Sequence, residues 1–308
     1  MKKFISRFLK IFTFILVGFI ISLIILLKTA DLKFEYGSGA KSKNFIDCYT
    51  KDNVPYSVVI GNSRALSSIN EHILSEALHQ AVYNLAYSSS NITHSKFIVK
   101  SLLSKKIKPT YLFLEVSWFS FNTKRTNLHI QSLVPVILKT NFTSLNTSDI
   151  STLLTAGAIR SLLYYNVKAR DNNQIKYIDI YNKMINDPNE FDRAGFYSTF
   201  PDGKAKIDIK LYNDLLEIIK LCASDNIKLI FFTSPENSEY QNHQKDRRSI
   251  FTKLKSLASS NEIPFYDFSN ITFDEFGNSI LANSHHVYNN KWFTEFFVKE
   301  IFKGNSNK

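Results

Sequence analysis

Cysteine is scarce in this 308-residue chain: Cys48 and Cys222 are the two present, far apart and outside any CxxC pair. That excludes a disulfide framework and the usual zinc-ligating arrangements, leaving room for one disulfide at most. Acidic residues are also in short supply, with 27 Asp and Glu against 38 Lys and Arg, a formal charge of +11 and a pI near 9.4. Such a balance suits nucleic acid, an anionic membrane or an acidic polymer. The chain carries no recognisable nucleic-acid motif, no internal repeat and no low-complexity tract. Apolar residues, by contrast, are plentiful: 44% hydrophobic and 14% aromatic against 21% charged. That is enough to offset chain entropy and excludes a disordered protein. The length allows one large or two ordinary domains.

One apolar run stands apart. Ile11 to Leu27 (IFTFILVGFIISLIILL) is seventeen residues without a charge. Extended by Phe8 and Leu9 around Lys10, it is long enough to span a bilayer at about 1.5 Å rise per residue. Lys2, Lys3, Arg7 and Lys10 precede it with no acid, so the positive-inside rule expects a cytoplasmic N-terminus and an extracytoplasmic remainder. The run exceeds the h-region of a signal peptide and is followed by Lys28-Thr-Ala-Asp31 rather than a small-residue cleavage site, which favours an uncleaved anchor. The basic excess follows this topology. Residues 1–10 carry +4 and residues 28–45 carry +2, leaving +5 for the 263 residues outside these stretches and the apolar run. The resulting organisation is a tip, anchor and linker start over 1–37, then an extracytoplasmic domain over 38–308.

Within that domain, short β-branched or aromatic runs occur at Tyr56–Ile60, Ala81–Tyr87, Tyr111–Val116, Lys228–Thr233 and Pro264–Phe268, separated by helix-period segments. In one of these, Leu211, Leu215, Ile218, Ile219 and Cys222 recur at helical spacing, with Asp208, Lys210, Asn213 and Asp214 expected on the opposite face. Strand–helix alternation predicts crossover connections and a parallel sheet, hence a three-layer α/β sandwich of flavodoxin-like type. The stretch 118–206 breaks the rhythm and reads as a helical insertion after the third strand, forming either a lid and substrate wall or a cap on the sheet.

The most informative motif is Tyr56-Ser-Val-Val-Ile-Gly-Asn-Ser-Arg64: a buried strand, a sharp turn, then a helix. A serine on such a turn sits at the C-terminal edge of the sheet, where it serves as a nucleophile if a base reaches it, or simply as a helix cap. A candidate base lies in Asn283-Ser-His285-His286, before a helix expected from near Lys291. Histidine suits proton transfer from a hydroxyl, and metal ligation is disfavoured because no Glu, Asp or Cys stands at ligand spacing.

Ser63 after the first strand, Asn84-Leu-Ala-Tyr-Ser-Ser-Ser90 after the second and His286 after the last together resemble the SGNH, or GDSL-like, hydrolase superfamily. The likeness is closest to its membrane-anchored surface-polymer branch, the DltD-like and AlgJ-like proteins, in which Gly-x-Ser-Arg replaces Gly-Asp-Ser. It covers roughly Val54–Ser117 and Ile227–Phe302. The resemblance implies Ser63 as nucleophile, His286 as general base and Asn283 at the position of the triad acid. It further implies Ser88 or Ser89 as oxyanion donors with Arg64 in the substrate region, no cofactor, and a surface polysaccharide and a membrane-bound O-acyltransferase as partners. Three features depart from the family. Its second-block glycine has no clear counterpart and its third-block asparagine is missing, Glu115 and Ser117 standing near that position. Asn283 replaces a carboxylate, with Asp267 and Asp274 as alternative acids. The sequence thus leaves two readings: a serine esterase or O-acyltransferase, and a degenerate accessory protein that binds polymer or acyltransferase. Trp118, Phe119 and Phe121 suit either sugar stacking or core and lid packing. The basic cluster Lys245, Arg247 and Arg248 reads as a solvated helix face.

Overall fold

The computed structural model describes residues 6–8, 10–14, 17–18, 21–22, 54–86, 90–104, 108–121, 202–204, 207–281 and 287–303. Most of the expected insertion, together with Ser88, Ser89, Asn283, His285 and His286, lies outside the described residues. Of the expected anchor, the described positions from 6 to 22 are helical. Among the described residues no helix is long and apolar enough to cross a membrane.

The central sheet comprises β1 (Tyr56–Ile60), β2 (Ala81–Asn84), β3 (Tyr111–Glu115), β4 (Lys228–Thr233) and β5 (Phe265–Asp267). Every pairing is parallel and the order is β2-β1-β3-β4-β5. The helices are α1 (Ser63–Ser68), α2 (Glu71–Leu78), α3 (Ile92–Leu103), α4 (Ile209–Ser224), α5 (Ser238–His243), α6 (Arg247–Ser260) and α7 (Asn290–Phe302), and a 3-10 turn spans Trp118–Phe121. The α/β class and parallel sheet follow the sequence expectation. The strands are those of the apolar runs, some trimmed by one to three residues.

Alternation along each strand builds the two faces, because successive side chains point to opposite sides. Val58, Ile60, Leu112, Leu114 and Phe231 pack against α3, α4 and α6. Val59, Val82, Phe113, Ile230 and Phe232 pack against α1, α2 and α7. The second face is aromatic: the Phe297 ring lies 5.2 Å from Phe232, 5.5 Å from Phe268 and 5.8 Å from Phe113. Both faces are therefore dry, as a parallel sheet requires.

Helix α4 shows how the local pattern works. Asp208 caps it by accepting from the backbone N–H groups of Lys210 and Leu211. Its apolar stripe Leu211, Leu215, Ile218, Ile219 and Cys222 is buried as the spacing predicts. Asp214 departs from the expected exposed face: it is buried because α3 presents Thr93 and Lys96 to it, at 2.5 Å and 2.6 Å. Lys100 meets Glu217 at 2.6 Å one turn further on, so the two helices are held by an ionic ladder.

Trp118 and Phe121 are core residues, exposed by no more than 1%, so for them the core reading holds over sugar stacking. The Asp208 N–H donates to the Phe121 carbonyl at 3.3 Å, so the chain returns after residue 121 to the place it left.

Candidate active site

In a 2-1-3-4-5 parallel sheet the connections diverge beside the first strand, and ligands bind in the crevice outside the strand C-termini at that point. Here β1 leads to α1 and α2 on one face, whereas the connection after β3 returns through α4 on the other. The turn Gly61-Asn62-Ser63-Arg64 occupies this position.

Each residue of the turn has a separate reason for its identity. A Cβ on Gly61 would come within 2.7 Å of the Glu115 Cβ and 2.9 Å of the Ala65 Cβ, so only glycine fits. Asn62 caps α1, its Oδ1 accepting from the Arg64 N–H at 2.9 Å. Its Nδ2 lies within donating distance of Glu115 Oε2 at 3.0 Å and of Ser120 Oγ at 3.2 Å. Ser63 opens the helix, and within Gly61–Ala65 it alone is accessible, the other four being buried. The second expected block reaches the same turn: Ser90 Oγ donates to the Gly61 carbonyl at 2.6 Å, and Asn84 Nδ2 lies 3.1 Å from the carbonyl oxygens of Ala65 and Ile69. Ser88 and Ser89 lie outside the described residues.

Arg64 faces inward at 1% exposure. Its guanidinium donates to Glu236 Oε1 at 2.5 Å and to the Ser234 carbonyl at 2.7 Å, and its Nε faces Glu115 Oε1 at 3.6 Å. Its side chain is committed to the interior rather than to the substrate region that the resemblance implied. Burial alone would weaken its charge, but the carboxylates of Glu236 and Glu115 outweigh that and hold its pKa above the ordinary arginine value. Glu115 is fully buried, and burial pushes its pKa above the usual carboxylate range despite the opposing pull of Arg64. Arg247, read from sequence as part of a solvated face, turns inward to Glu236 at 3.3 Å and donates to Ser269 Oγ. Glu236 is thus paired with two arginines, while Glu115 Oε1 faces the Arg64 Nε without a hydrogen bond.

The alternative acids are both occupied. Asp267 accepts from Thr233 Oγ1 at 2.9 Å, from Ser269 Oγ at 2.5 Å and from Lys255 Nζ at 3.1 Å. Burial would raise its pKa, but those hydrogen bonds from Ser269, Thr233 and Lys255 prevail and hold it below the ordinary value. Asp274 closes an exposed turn by accepting from the N–H groups of Phe276 and Asn278.

Asn283 and His286 lie outside the described residues, but the chain on either side is fixed. Leu281 and Val287 form an antiparallel bridge, and the Val287 N–H donates to Ser67 Oγ at 3.3 Å, one turn along α1 from Ser63. Thr294 of α7 accepts from the Asn70 N–H at 2.8 Å, tying the following helix to the end of α1. Glu236, Ser120, Arg247 and Ser67 were not anticipated. A signal for Glu115 was present, since a carboxylate inside the run Tyr111–Val116 must find a partner when buried. Nothing local marked Glu236. Among the described residues no group of three or more His, Cys, Asp or Glu side chains is placed to hold a metal ion.

The chain is thus a three-layer α/β protein with a serine presented at the switch point of its sheet. No family model and no curated protein matches it. Among solved structures it is similar to a protein described as lipolytic and of the G-D-S-L family from Desulfitobacterium hafniense DCB-2, at 12% identity and TM-score 0.40, covering 79% of this chain and 98% of that one. A GDSL-like lipase from Bacteroides thetaiotaomicron VPI-5482 matches at 9% identity and TM-score 0.42, over 87% and 100% of the two chains. An active-site mutant of a family two carbohydrate esterase from Clostridium thermocellum matches at 9% identity and TM-score 0.39, over 82% and 64%. Likeness of this order does not transfer function.

Proposed function

We propose that the chain is a membrane-anchored, extracytoplasmic SGNH-like serine hydrolase or O-acyltransferase of the DltD-like and AlgJ-like kind, acting on acyl esters of a cell-surface or secreted polysaccharide. The observation that carries this reading is Ser63: a partly exposed serine on a turn of buried residues, at the switch point of a 2-1-3-4-5 parallel sheet. The pinning of Val287 against α1 supports His286, the residue before it, as the base.

In this mechanism Ser63 Oγ bonds to the ester carbonyl carbon while its proton passes to His286, and backbone N–H groups of Ser63 and of Ser88 or Ser89 hold the oxyanion. Collapse breaks the ester C–O bond, and the leaving alkoxide takes the proton from His286. Water then cleaves the acyl-enzyme to a free acid, or a sugar hydroxyl takes the acyl group to form a new ester. In either step His286 accepts the incoming proton and returns it to Ser63. Asn283 orients the imidazole, and Arg64 supports the turn from within. Anchoring through Ile11–Leu27 is supported by the exposed Phe8, Ile11, Phe12 and Phe14, which leave an apolar surface for lipid. A membrane-bound O-acyltransferase is the expected supplier of acyl groups, and no cofactor takes part.

The accessory reading is favoured by two features, the missing third-block asparagine and the amide of Asn283 where a carboxylate would stabilise imidazolium; in a serine triad the latter exchange lowers the rate by about 10⁴-fold. Acetyl-ester hydrolysis or transfer by the chain, compared with its Ser63→Ala and His286→Ala forms, separates the two readings. Catalysis predicts that both variants fall to background. Equal ester turnover and equal polymer acylation in all three would leave the accessory role.

A further inference from the structure

We infer that Glu115 and Arg64 are positioning residues that clamp the Ser63 turn from both sides, an inference that rests on the serine-hydrolase reading above. The two residues bonded to Ser63 are the two that these charges hold. On one side Glu115 Oε2 lies 3.0 Å from Asn62 Nδ2, and this fixes the amide so that its Oδ1 accepts the Arg64 N–H at 2.9 Å. On the other side the Arg64 guanidinium is fastened at 2.5 Å to Glu236 and at 2.7 Å to the Ser234 carbonyl, with its Nε turned to Glu115 at 3.6 Å. Asn62, Arg64, Glu115 and Glu236 are each no more than 1% exposed, while Ser63 between them remains accessible.

Stability does not demand this arrangement. Asn62 alone would cap α1, and an apolar side chain could fill the space beneath it. Buried ion pairs replaced by well-packed apolar residues often leave a protein as stable or more so. What charges supply, and an apolar filling does not, is direction, since a guanidinium fork fixes the angle of its partners as well as their distance. The turn is also closed against sliding, because Gly61 packs on the Glu115 Cβ and its carbonyl receives Ser90 Oγ. Glu236 is paired with Arg64 and Arg247, and Glu115 turns its carboxylate to Asn62, Ser120 and Arg64.

The test uses the full-length chain in detergent and the variants Ser63→Ala, Glu115→Ala, Glu115→Gln and Arg64→Lys. Labelling of Ser63 by a fluorophosphonate, kcat and KM for 4-nitrophenyl acetate, and the melting temperature are measured for each. The parent is expected to label and Ser63→Ala not to. Loss of alignment slows labelling and kcat by about 10²-fold in Glu115→Ala and about tenfold in Glu115→Gln, which still offers Asn62 an acceptor, with KM nearly unchanged. Arg64→Lys falls between them, because one ammonium cannot reproduce the planar fork that reaches both Glu236 and the Ser234 carbonyl. Glu115→Gln leaves Arg64 its closer partner Glu236 and should melt near the parent, so slowed chemistry in a stable variant separates positioning from mere support. Should Glu115→Ala fail to fold, Glu115→Gln decides. Parent-like labelling and kcat in the Glu115 and Arg64 variants would overturn the clamp and leave the catalytic reading standing. A parent that does not label, or a Ser63→Ala form that labels equally, would overturn both.

Discussion

Gly61 matters for the space it leaves empty. The Glu115 Cβ and Ala65 Cβ would stand 2.7 Å and 2.9 Å from any Cβ added there, and both neighbours are backbone-fixed. Gly61→Ala is therefore expected to destabilise the chain by about 1–3 kcal/mol, the usual range for overpacking. Denaturant unfolding measures this, and an unchanged midpoint would show that β1 and β3 can move apart. Asp267 gives a pH-dependent counterpart. Its folded pKa lies below the unfolded value of about 3.9. Its contribution is therefore complete above that pH and is lost as pH falls through the folded value. Below about pH 4 the parent should lose stability more steeply than Asp267→Asn; parallel slopes would contradict the assignment. At this scale the sequence was informative about Ser63, because a strand-turn-helix pattern is local. It was misleading about Arg64 and Arg247, because whether a cation faces water or a buried carboxylate depends on Glu236, 172 residues from Arg64 in the chain.

At the scale of elements, strands and helices were legible because their signals are periodic. Lys228–Thr233 was recovered to the residue, and α7 begins at Asn290, one position from the expected start. What periodicity cannot show is which polar residue on a helix meets another helix. Asp214 sits beside the apolar stripe of α4 and reads as solvated, yet α3 carries Thr93, Lys96 and Lys100 to that side. Asp214→Ala removes the 2.6 Å partner of a lysine that is 1% exposed, and should destabilise by about 3–5 kcal/mol. The double change Lys96→Met with Asp214→Leu should recover most of that loss, because no unpaired charge is then left buried, Lys100 keeping Glu217. Unfolding free energies of the parent and the two variants test this, and a double variant no more stable than Asp214→Ala would refute it.

The whole molecule is governed by the order of its strands. Alternation of strand and helix implied a parallel sheet, but the 2-1-3-4-5 order decides that β1 and β3 end side by side, so that Asn62, Glu115 and Ser120 converge. The same order brings β4 and β5 alongside, placing Glu236, Arg247, Ser269 and Asp267 behind the turn. The meeting of Phe121 and Asp208 explains how a long stretch can intervene between β3 and β4 without disturbing the sheet. Sequence alone determined the apolar N-terminal run, the location of the basic excess, the alternating elements and the serine on its turn, because each follows from neighbours along the chain. Only the tertiary structure decided the fate of the charges. Whether Arg64 faces substrate or interior, and which groups Glu115 meets at the end of β3, is a matter of long-range pairing in a low-dielectric interior, where an ion is stable only beside a partner that the fold delivers.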